Sequence, residues 1–517
     1  MIVAEEEQAG AHMRNDVNCS LLDDPVLDPA FADMPAAQPV SRSERAWLLY
    51  LTLNLCFIAV LGLIDLSVKR LGHDPMVFLI LLFALCSLPA LVIHESNGRF
   101  CVLVIFLPVY FMYYGANDVF TYFVKNPGYW YGSSGSLLTD AEAVILAGLV
   151  SLLIGFRLAA SLPESTSRRW LVLDWSVRAT VLVGVLSMLA GLWAVWKLQL
   201  MMDFAAGSAK LDPFWGSLLI GARMMELVGA ILLSYAYVKT RSRTLLWLII
   251  GIIVMKVPLG IVLDSKEISI SFPITFIATK WIYEGKLPLR WLGILSMFIV
   301  VVFPISYAYR ATVLGGKTTR VAALKNVTAN LRKAITESSK TRGGPLARGV
   351  ESFVTRMDLK SVIAVTVHGT AHGVRFQNGY TLSPLLYAFI PRVILPDKPN
   401  VPTGQLYNRA FHISEDPDTF ISTSFLGELY WNWGWVGALG GMWLIGISLG
   451  IVSTLFHVGD IKSVTRTLIL MSAVYLLVVR LEDSLATQYV LMLRSLVIIL
   501  ALHVLFRRRS MEPVQQS

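Results

Sequence analysis

The sequence has few charged residues. Asp, Glu, Lys and Arg make up only 15% of its 517 residues, whereas hydrophobic residues make up 55%. A soluble chain cannot hide that much apolar surface in a core. The composition therefore excludes an ordinary soluble protein and predicts an all-α polytopic membrane protein.

Cysteine is scarce as well. All four cysteines lie within the first 101 residues, and none falls in the polar stretch 309–424, so that stretch offers no disulfide or cysteine-based metal site. Zinc-protease, P-loop and serine-hydrolase motifs are missing, and Asp416-Pro417-Asp418 is a weak match to a nucleotide-sugar metal motif. We expect no cofactor, no metal and no nucleic-acid partner.

The first 43 residues lack the apolar core of a signal peptide. They are polar, with several acidic residues and prolines, and predict a disordered acidic tail. The basic segment 507–517 is expected to be a second tail.

Segments apolar enough to cross a bilayer, which takes about 20 residues, predict about twelve transmembrane helices. Nine lie in 44–308 and three in 425–506, on either side of the polar stretch. Their centres are 46–64, 75–94, 99–114, 141–160, 175–197, 214–236, 244–263, 268–283, 290–308, 425–455, 467–480 and 486–506.

Lysine and arginine near the helix ends predict the orientation, because cytoplasmic connections carry more of them. Basic residues precede the first predicted helix, follow helices four, six, eight and ten, and close the chain. Lys69 and Arg70, after the first helix, are the exception. We therefore expect both termini in the cytoplasm and 309–424 as one large extracytoplasmic loop.

That loop has 15 basic and 7 acidic residues, an excess of 8 that accounts for nearly all of the net charge of +9. Such an excess favours phosphate, diphosphate or anionic headgroups as partners. The alternative is that the basic residues only touch surface lipid.

Within the loop, apolar residues at helical spacing over 319–340 predict an interfacial helix, with a solvated linker helix as the alternative. A second helical pattern covers 350–369, and the proline-rich segment 379–402 predicts an ordered coil. Three prolines stiffen 390–399, so Arg392, Asp397 and Lys398 could hold a phosphate; a structural Arg392–Asp397 ion pair is the alternative.

Charged residues also occur beside or inside the apolar segments. Glu428 should lie near the outer boundary, facing a cavity if one exists, and Arg480 in a short outer turn could face the same cavity. Arg223 and Glu226 are three residues apart on one helix and should pair with each other.

Aromatic and small residues add two further expectations. Tyr129, Trp130 and Tyr131 could stack on sugars, or seat at lipid headgroups. Gly437 with Gly441, and Gly446 with Gly450, form small-xxx-small faces for close helix packing.

Several short motifs occur in order over roughly 306–450. They are Arg356-Met357-Asp358, Gly379-Tyr380-Thr381-Leu382, Ile390-Pro391-Arg392, Leu395-Pro396-Asp397-Lys398-Pro399 and Leu426-Gly427-Glu428-Leu429-Tyr430, with Gly434 and Gly437. Together they resemble the Wzy-type polymerases of bacterial oligosaccharide repeat units, whereas the first eight predicted helices are similar only in being hydrophobic.

The resemblance implies a metal-independent glycosyltransferase of the bacterial inner membrane that builds a surface polysaccharide such as O-antigen, capsule or exopolysaccharide. Donor and acceptor would both be oligosaccharides on undecaprenyl diphosphate, presented from the lipid bilayer on its outer face. A chain-length regulator and a flippase are candidate partners. The His-centred motif of O-antigen ligases is missing unless His368 or His372 replaces it.

The reaction needs fixed cations for the diphosphate leaving group and a general base for the acceptor hydroxyl. Glu428 is the first candidate for the base and Asp358 the second. Candidates for binding phosphate or substrate are Arg356, Arg392, Lys398, Arg480, Arg310 and Asp397.

Two other transport or transfer functions stay open. An O-antigen-ligase-like enzyme would use the same donor chemistry on another acceptor lipid. A flippase of lipid-linked glycan is also possible, although this chain shows no evident repeat, and transporters are commonly built from repeated halves. A structural or regulatory subunit of an envelope complex is a further alternative.

Overall fold

A computed structural model describes most of the chain between residues 42 and 506. The described ranges are 42–67, 75–88, 102–123, 135–160, 175–201, 213–262, 266–284, 288–309, 357–388, 401–417, 419–455 and 463–506, with 329–330, 332–333, 336, 390 and 395. Of the predicted tail 1–43, residues 1–41 lie outside these residues, whereas 42–43 belong to the first helix. The predicted tail 507–517 lies outside them as well.

All regular secondary structure in the described residues is helical. The helices are α1 (Arg42–Ser67), α2 (Met76–Cys86), α3 (Leu103–Tyr114), α4 (Ala116–Phe123), α5 (Gly135–Ala160), α6 (Val177–Met201), α7 (Pro213–Thr240), α8 (Arg243–Val262), α9 (Lys266–Glu284), α10 (Leu289–Tyr309), α11 (Leu359–Ala371), a 3-10 helix (Tyr380–Leu385), α12 (Thr403–Phe411), α13 (Phe425–Leu455), α14 (Val464–Val474), a π-helical turn (Tyr475–Val479) and α15 (Leu485–Phe506).

Each of the twelve predicted apolar segments overlaps at least one of these helices in the described residues. In the described residues, six helices are long and apolar enough to cross a membrane: α5, α6, α8, α10, α13 and α15. Four more apolar stretches are shorter, in α1, α2, α3 and across α14 with its π-helical turn. The chain is thus an all-α protein with six candidate membrane spans, and the count of twelve stays a prediction.

Helices α5 and α13 pack closely and run parallel. A Cβ on Gly446 would lie 2.0 Å from the carbonyl oxygen of Leu152, and a Cβ on Gly450 would lie 2.8 Å from that of Phe156. The residue numbers of the contacting positions rise together along the two helices, so both helices begin at the same end of the bundle. The small-xxx-small face predicted for Gly446 and Gly450 is confirmed.

Helix α13 is a folded hairpin. It breaks at Trp433 and Gly434, whose backbone angles are not helical, and Gly434 has a φ of +60° that favours glycine. A Cβ on Gly437 would lie 2.1 Å from the carbonyl oxygen of Leu429, so residues 425–432 fold back along the rest of the helix. Gly437 and Gly441 therefore pack against their own helix, and we call 425–432 the inner limb and 435–455 the outer limb.

The starts of α9, α13 and α15 lie close together with the described part of the polar stretch. The amides of Ser424 and Phe425 donate to the carbonyls of Glu482 and Leu481, in the turn before α15. Thr403, at the start of α12, donates to Ser484 in the same turn at 3.4 Å. We call this end of the bundle the loop end.

The two helical patterns predicted inside the polar stretch fare differently. Helix α11 begins within the second pattern, 350–369, and ends two residues beyond it, at Ala371. Of 319–340, only 329–330, 332–333 and 336 are described, and they are helical. Whether this segment lies at the membrane interface stays a prediction.

Candidate functional site

At the loop end, two arginines from distant elements share one carboxylate. Arg223 of α7 donates to Oε2 of Glu267 at 2.6 Å, and Arg480 donates to Oε1 of the same residue at 2.7 Å. The side chains of Arg223, Glu267 and Arg480 are 29%, 31% and 20% exposed, so they are not sealed in a core, and Arg223 and Glu267 line a pocket. Arg480 also pairs with Asp483, so two guanidinium groups face two carboxylates, and an anionic ligand would have to displace a carboxylate to bind both arginines.

The pocket lies mainly between α7 and α9. Its lining combines the charged pair Arg223–Glu267 with hydroxyl groups and with hydrocarbon side chains. The other lining residues are Met224, Glu226, Leu227, Ala230, Ile268, Ser271, Thr275 and Tyr475. The cavity is small, about 30 Å³, and offers polar contacts beside apolar ones.

The π-helical turn orients the groups around Glu267. Its wider spacing places the amide of Arg480 on the carbonyl of Tyr475, five residues back, at 3.2 Å. As a result the Tyr475 hydroxyl, which donates to Glu267 at 3.1 Å, and the Arg480 guanidinium reach the same carboxylate oxygen. Asp483 accepts from Arg480 at 2.5 Å and from Gln488 at 2.8 Å, which fixes the guanidinium from behind.

A second charged pair lies beside the pocket, and its carboxylate, Glu226, is one of the lining residues. Lys256 of α8 pairs with Glu226 of α7, and it donates to the Ser271 hydroxyl at 2.8 Å. The predicted pairing of Arg223 with Glu226 is therefore wrong, because neighbouring helices supply a closer partner to each of them. The Lys256 side chain is buried, and a buried cation needs such a partner.

Glu428, the first candidate for the general base, lies on the other side of the 480–485 turn. It is fully buried on the inner limb and accepts from the Leu485 amide at 2.6 Å and from the Ser484 hydroxyl at 3.4 Å. A carboxylate at a helix start is stabilised by the unpaired amides there. Glu428 thus caps α15, and Arg480, expected to share its cavity, faces Glu267 instead.

Asp358, the second candidate, is the N-cap of α11. Its carboxylate accepts from the backbone amide of Ser361 at 3.1 Å and from the hydroxyl of the same residue, and it is buried. Both candidate bases therefore occupy capping positions away from the open pocket.

Sequence reasoning missed a buried charge cluster around Lys360. Its ammonium contacts Asp118 of α4 at 2.5 Å and Glu142 of α5 at 3.2 Å, with the Phe78 ring 5.2 Å away. Burial raises the pKa of Asp118 to about 6, although Lys360 opposes that shift. Charged residues in otherwise apolar segments were the available signal. These ion pairs connect α11 to α4 and α5.

The remaining predicted site residues lie outside the described part of the chain. They are Arg310, Arg356, Arg392, Asp397 and Lys398, together with Tyr129, Trp130 and Tyr131. Their roles in phosphate binding and sugar stacking stay predictions. Within the described residues, no three His, Cys, Asp or Glu side chains group closely enough to hold a metal ion.

Comparison of the chain with protein-family models, with curated proteins and with solved structures finds no match.

Proposed function

We propose that this protein is a polymerase that joins oligosaccharide repeat units carried on undecaprenyl diphosphate, and that the pocket around Glu267 binds the diphosphate. The observation that carries the proposal is the convergence of Arg223 and Arg480 on one partly exposed carboxylate. Guanidinium groups bind phosphate oxygens through paired donors, which makes such a pair suited to a diphosphate.

In the proposed reaction, an acceptor hydroxyl attacks the anomeric carbon of the donor sugar. The new glycosidic bond forms as the bond from that carbon to the diphosphate breaks, and undecaprenyl diphosphate leaves with the bonding electrons. Arg223 and Arg480 stabilise the charge that develops on the leaving group. Direct displacement of this kind inverts the anomeric carbon.

The proton of the acceptor hydroxyl needs a base at the pocket. Glu267 is the carboxylate that lines the pocket, whereas Glu428 and Asp358 are buried in helix caps. Arg223 and Arg480 stabilise its charged form, so Glu267 becomes an effective base only when the two arginines move to a bound diphosphate. A bound diphosphate would compete with Glu267 for the two arginines and release its oxygens toward the acceptor. The apolar lining, including Met224, Leu227 and Ile268, suits the first part of the lipid chain.

The proposal is tested by the length distribution of surface polysaccharide in a strain that lacks the protein. The strain is complemented with wild type, with Arg223→Gln, with Arg480→Gln or with a matched control, Arg375→Gln, whose side chain is exposed on another part of the chain. Each variant is quantified in the membrane fraction, and the glycan is separated on gels and stained.

If the protein is a polymerase, we expect single repeat units in the deletion strain and a full ladder with wild type and Arg375→Gln. The ladder should fall about 100-fold with either pocket variant, the usual cost of losing one charge-stabilising donor. Long polymer that accumulates on its carrier would mean a ligase instead. Single units trapped on the cytoplasmic leaflet would mean a flippase.

A further inference from the structure

Exposed aromatic and apolar side chains from two separate segments meet at the break in α13. The Phe376 ring lies against Gly434, where an added Cβ would be 3.5 Å from it, and the Trp433 ring lies against Gly379, where the distance would be 2.9 Å. Both rings stay largely exposed on their other sides, at 42% and 44%.

Backbone hydrogen bonds hold the 374–379 segment to this break. The amides of Gln377 and Asn378 donate to the carbonyls of Trp431 and Asn432 at 3.0 and 3.1 Å. The Gly379 amide donates to the Asn432 side chain at 2.8 Å. These bonds satisfy carbonyls that the helix break frees, so the segment is fixed to the apex of the α13 hairpin.

The length of the outer limb gives the level of that apex. Its 21 residues, 435–455, span about 31 Å at 1.5 Å per residue, close to the thickness of the hydrocarbon core. One side of the limb carries exposed apolar residues at helical spacing, Val436, Leu444 and Ile451 among them. If this side faces lipid, the apex lies at the boundary between the hydrocarbon and the headgroups.

Further exposed apolar groups follow the 374–379 segment. Tyr380, at the start of the 3-10 helix, is 51% exposed, and Leu386, just after it, is 78% exposed. Exposed apolar residues are informative when they lie together in one patch. Tyr380 directly follows Gly379, against which the Trp433 ring lies, and Trp435 is two residues beyond Trp433, so Tyr380 and Trp435 both lie near the apex.

We propose that these residues form a membrane anchor in which a segment of the polar stretch inserts into the bilayer interface. The anchor consists of Phe376, Tyr380, Leu386, Trp433 and Trp435, and its partner is the zone between headgroups and acyl chains of a phospholipid bilayer. Aromatic rings favour that zone because one part of the ring is apolar and another tolerates water. The anchor holds the start of the 3-10 helix at the level of this zone.

The test measures the depth of single nitroxide labels in the full-length protein reconstituted into phosphatidylcholine–phosphatidylglycerol nanodiscs. The four native cysteines are first replaced by alanine. Single cysteines then go in at Phe376 and Leu386, at Val436 as the lipid-facing reference and at His372, exposed at the end of α11, as the aqueous reference. Tyr380→Cys is a second test position, and gel filtration selects variants that remain folded.

Collision rates with oxygen, which dissolves in lipid, are compared with those of a water-soluble nickel chelate. We expect labels at 376 and 386 to resemble the label at 436, with an oxygen-to-nickel ratio several-fold above that at 372. Free access of nickel at 376 and 386 would overturn the anchor. Low access to both reagents would overturn it too, because it would place a second copy or another protein on this surface. The assay uses no substrate, so it is independent of the proposed polymerase activity.

Discussion

Arg480 follows Glu267 by 213 positions in the chain, yet its guanidinium donates to Oε1 of that carboxylate at 2.7 Å. The contact joins the start of α9 to the turn before α15. Since Arg223 holds the other oxygen of Glu267, one carboxylate connects three elements at the loop end.

Glu267→Gln should reduce polymer formation about 100-fold or more, the lower range for loss of a general base. Glutamine keeps the shape of the side chain but cannot accept the acceptor's proton. The measurement is the staining intensity of the polysaccharide ladder in the complemented deletion strain. Glu415→Gln, at an exposed position, is the matched control and should leave the ladder intact. A full ladder with Glu267→Gln would show that another group is the base.

Glu428→Ala should lower thermal stability while Glu428→Gln keeps most of the activity. Alanine leaves the buried Leu485 amide without its acceptor, which costs about 1–3 kcal/mol, whereas glutamine retains an acceptor oxygen. Unfolding midpoints of the purified variants in detergent measure the first effect, and the polysaccharide ladder measures the second. If Glu428→Gln abolished the ladder at normal protein levels, Glu428 would regain the role of base.

Lys360→Met should destabilise the protein by about 3–5 kcal/mol, the usual cost of breaking a buried ion pair from one side. The change would leave Asp118 and Glu142 buried near each other without their shared cation. Thermal unfolding in detergent measures the effect. Lys197→Met, exposed on α6, is the control and should be near neutral. Adding Asp118→Asn to Lys360→Met should restore part of the loss.

The Asp118 carboxyl predicts a specific pH dependence of stability. Its pKa is raised from 3.8 to about 6 by burial, so between these values the folded protein holds a proton that the unfolded chain has released. The stability that the Asp118 carboxyl contributes is therefore largest below pH 3.8 and is lost as the pH rises toward 6. Unfolding midpoints of wild type minus those of Asp118→Asn should fall over this range. A flat or rising difference would contradict the assignment.

Gly446→Ala should destabilise the bundle much more than Gly440→Ala. A Cβ on Gly446 would lie 2.0 Å from the Leu152 carbonyl oxygen of α5, whereas a Cβ on Gly440 meets nothing within 4 Å. Both glycines are on the outer limb, so both substitutions gain the same helix propensity and differ only in the contact of the added Cβ. Melting in detergent compares the two variants. Equal midpoints would show that α5 and α13 are not packed through Gly446.

Local sequence patterns predicted most of the helices but few of the contacts at the site. The apolar segment 425–455 predicts a single helix, but the hairpin depends on Gly434 adopting a positive φ and on Leu429 packing against Gly437. The three-residue spacing predicted that Arg223 pairs with Glu226. The structure differs because nothing in the sequence shows which helix lies beside α7. Glu428 stood out as an ionisable residue in an apolar helix, but spacing does not reveal that its oxygens meet the start of α15.

What the sequence alone determined is the class of protein and the position of its helices, because hydrophobicity and helical propensity act over neighbouring residues. The short turn with Arg480 and Asp483 was also determined locally. Only the tertiary structure decided that Arg223 and Arg480 share Glu267, that Lys360 lies between Asp118 and Glu142, and that Glu428 is sealed inside. These pairings depend on which helices pack together, and a buried charge takes its partner from whichever neighbour packing brings within reach.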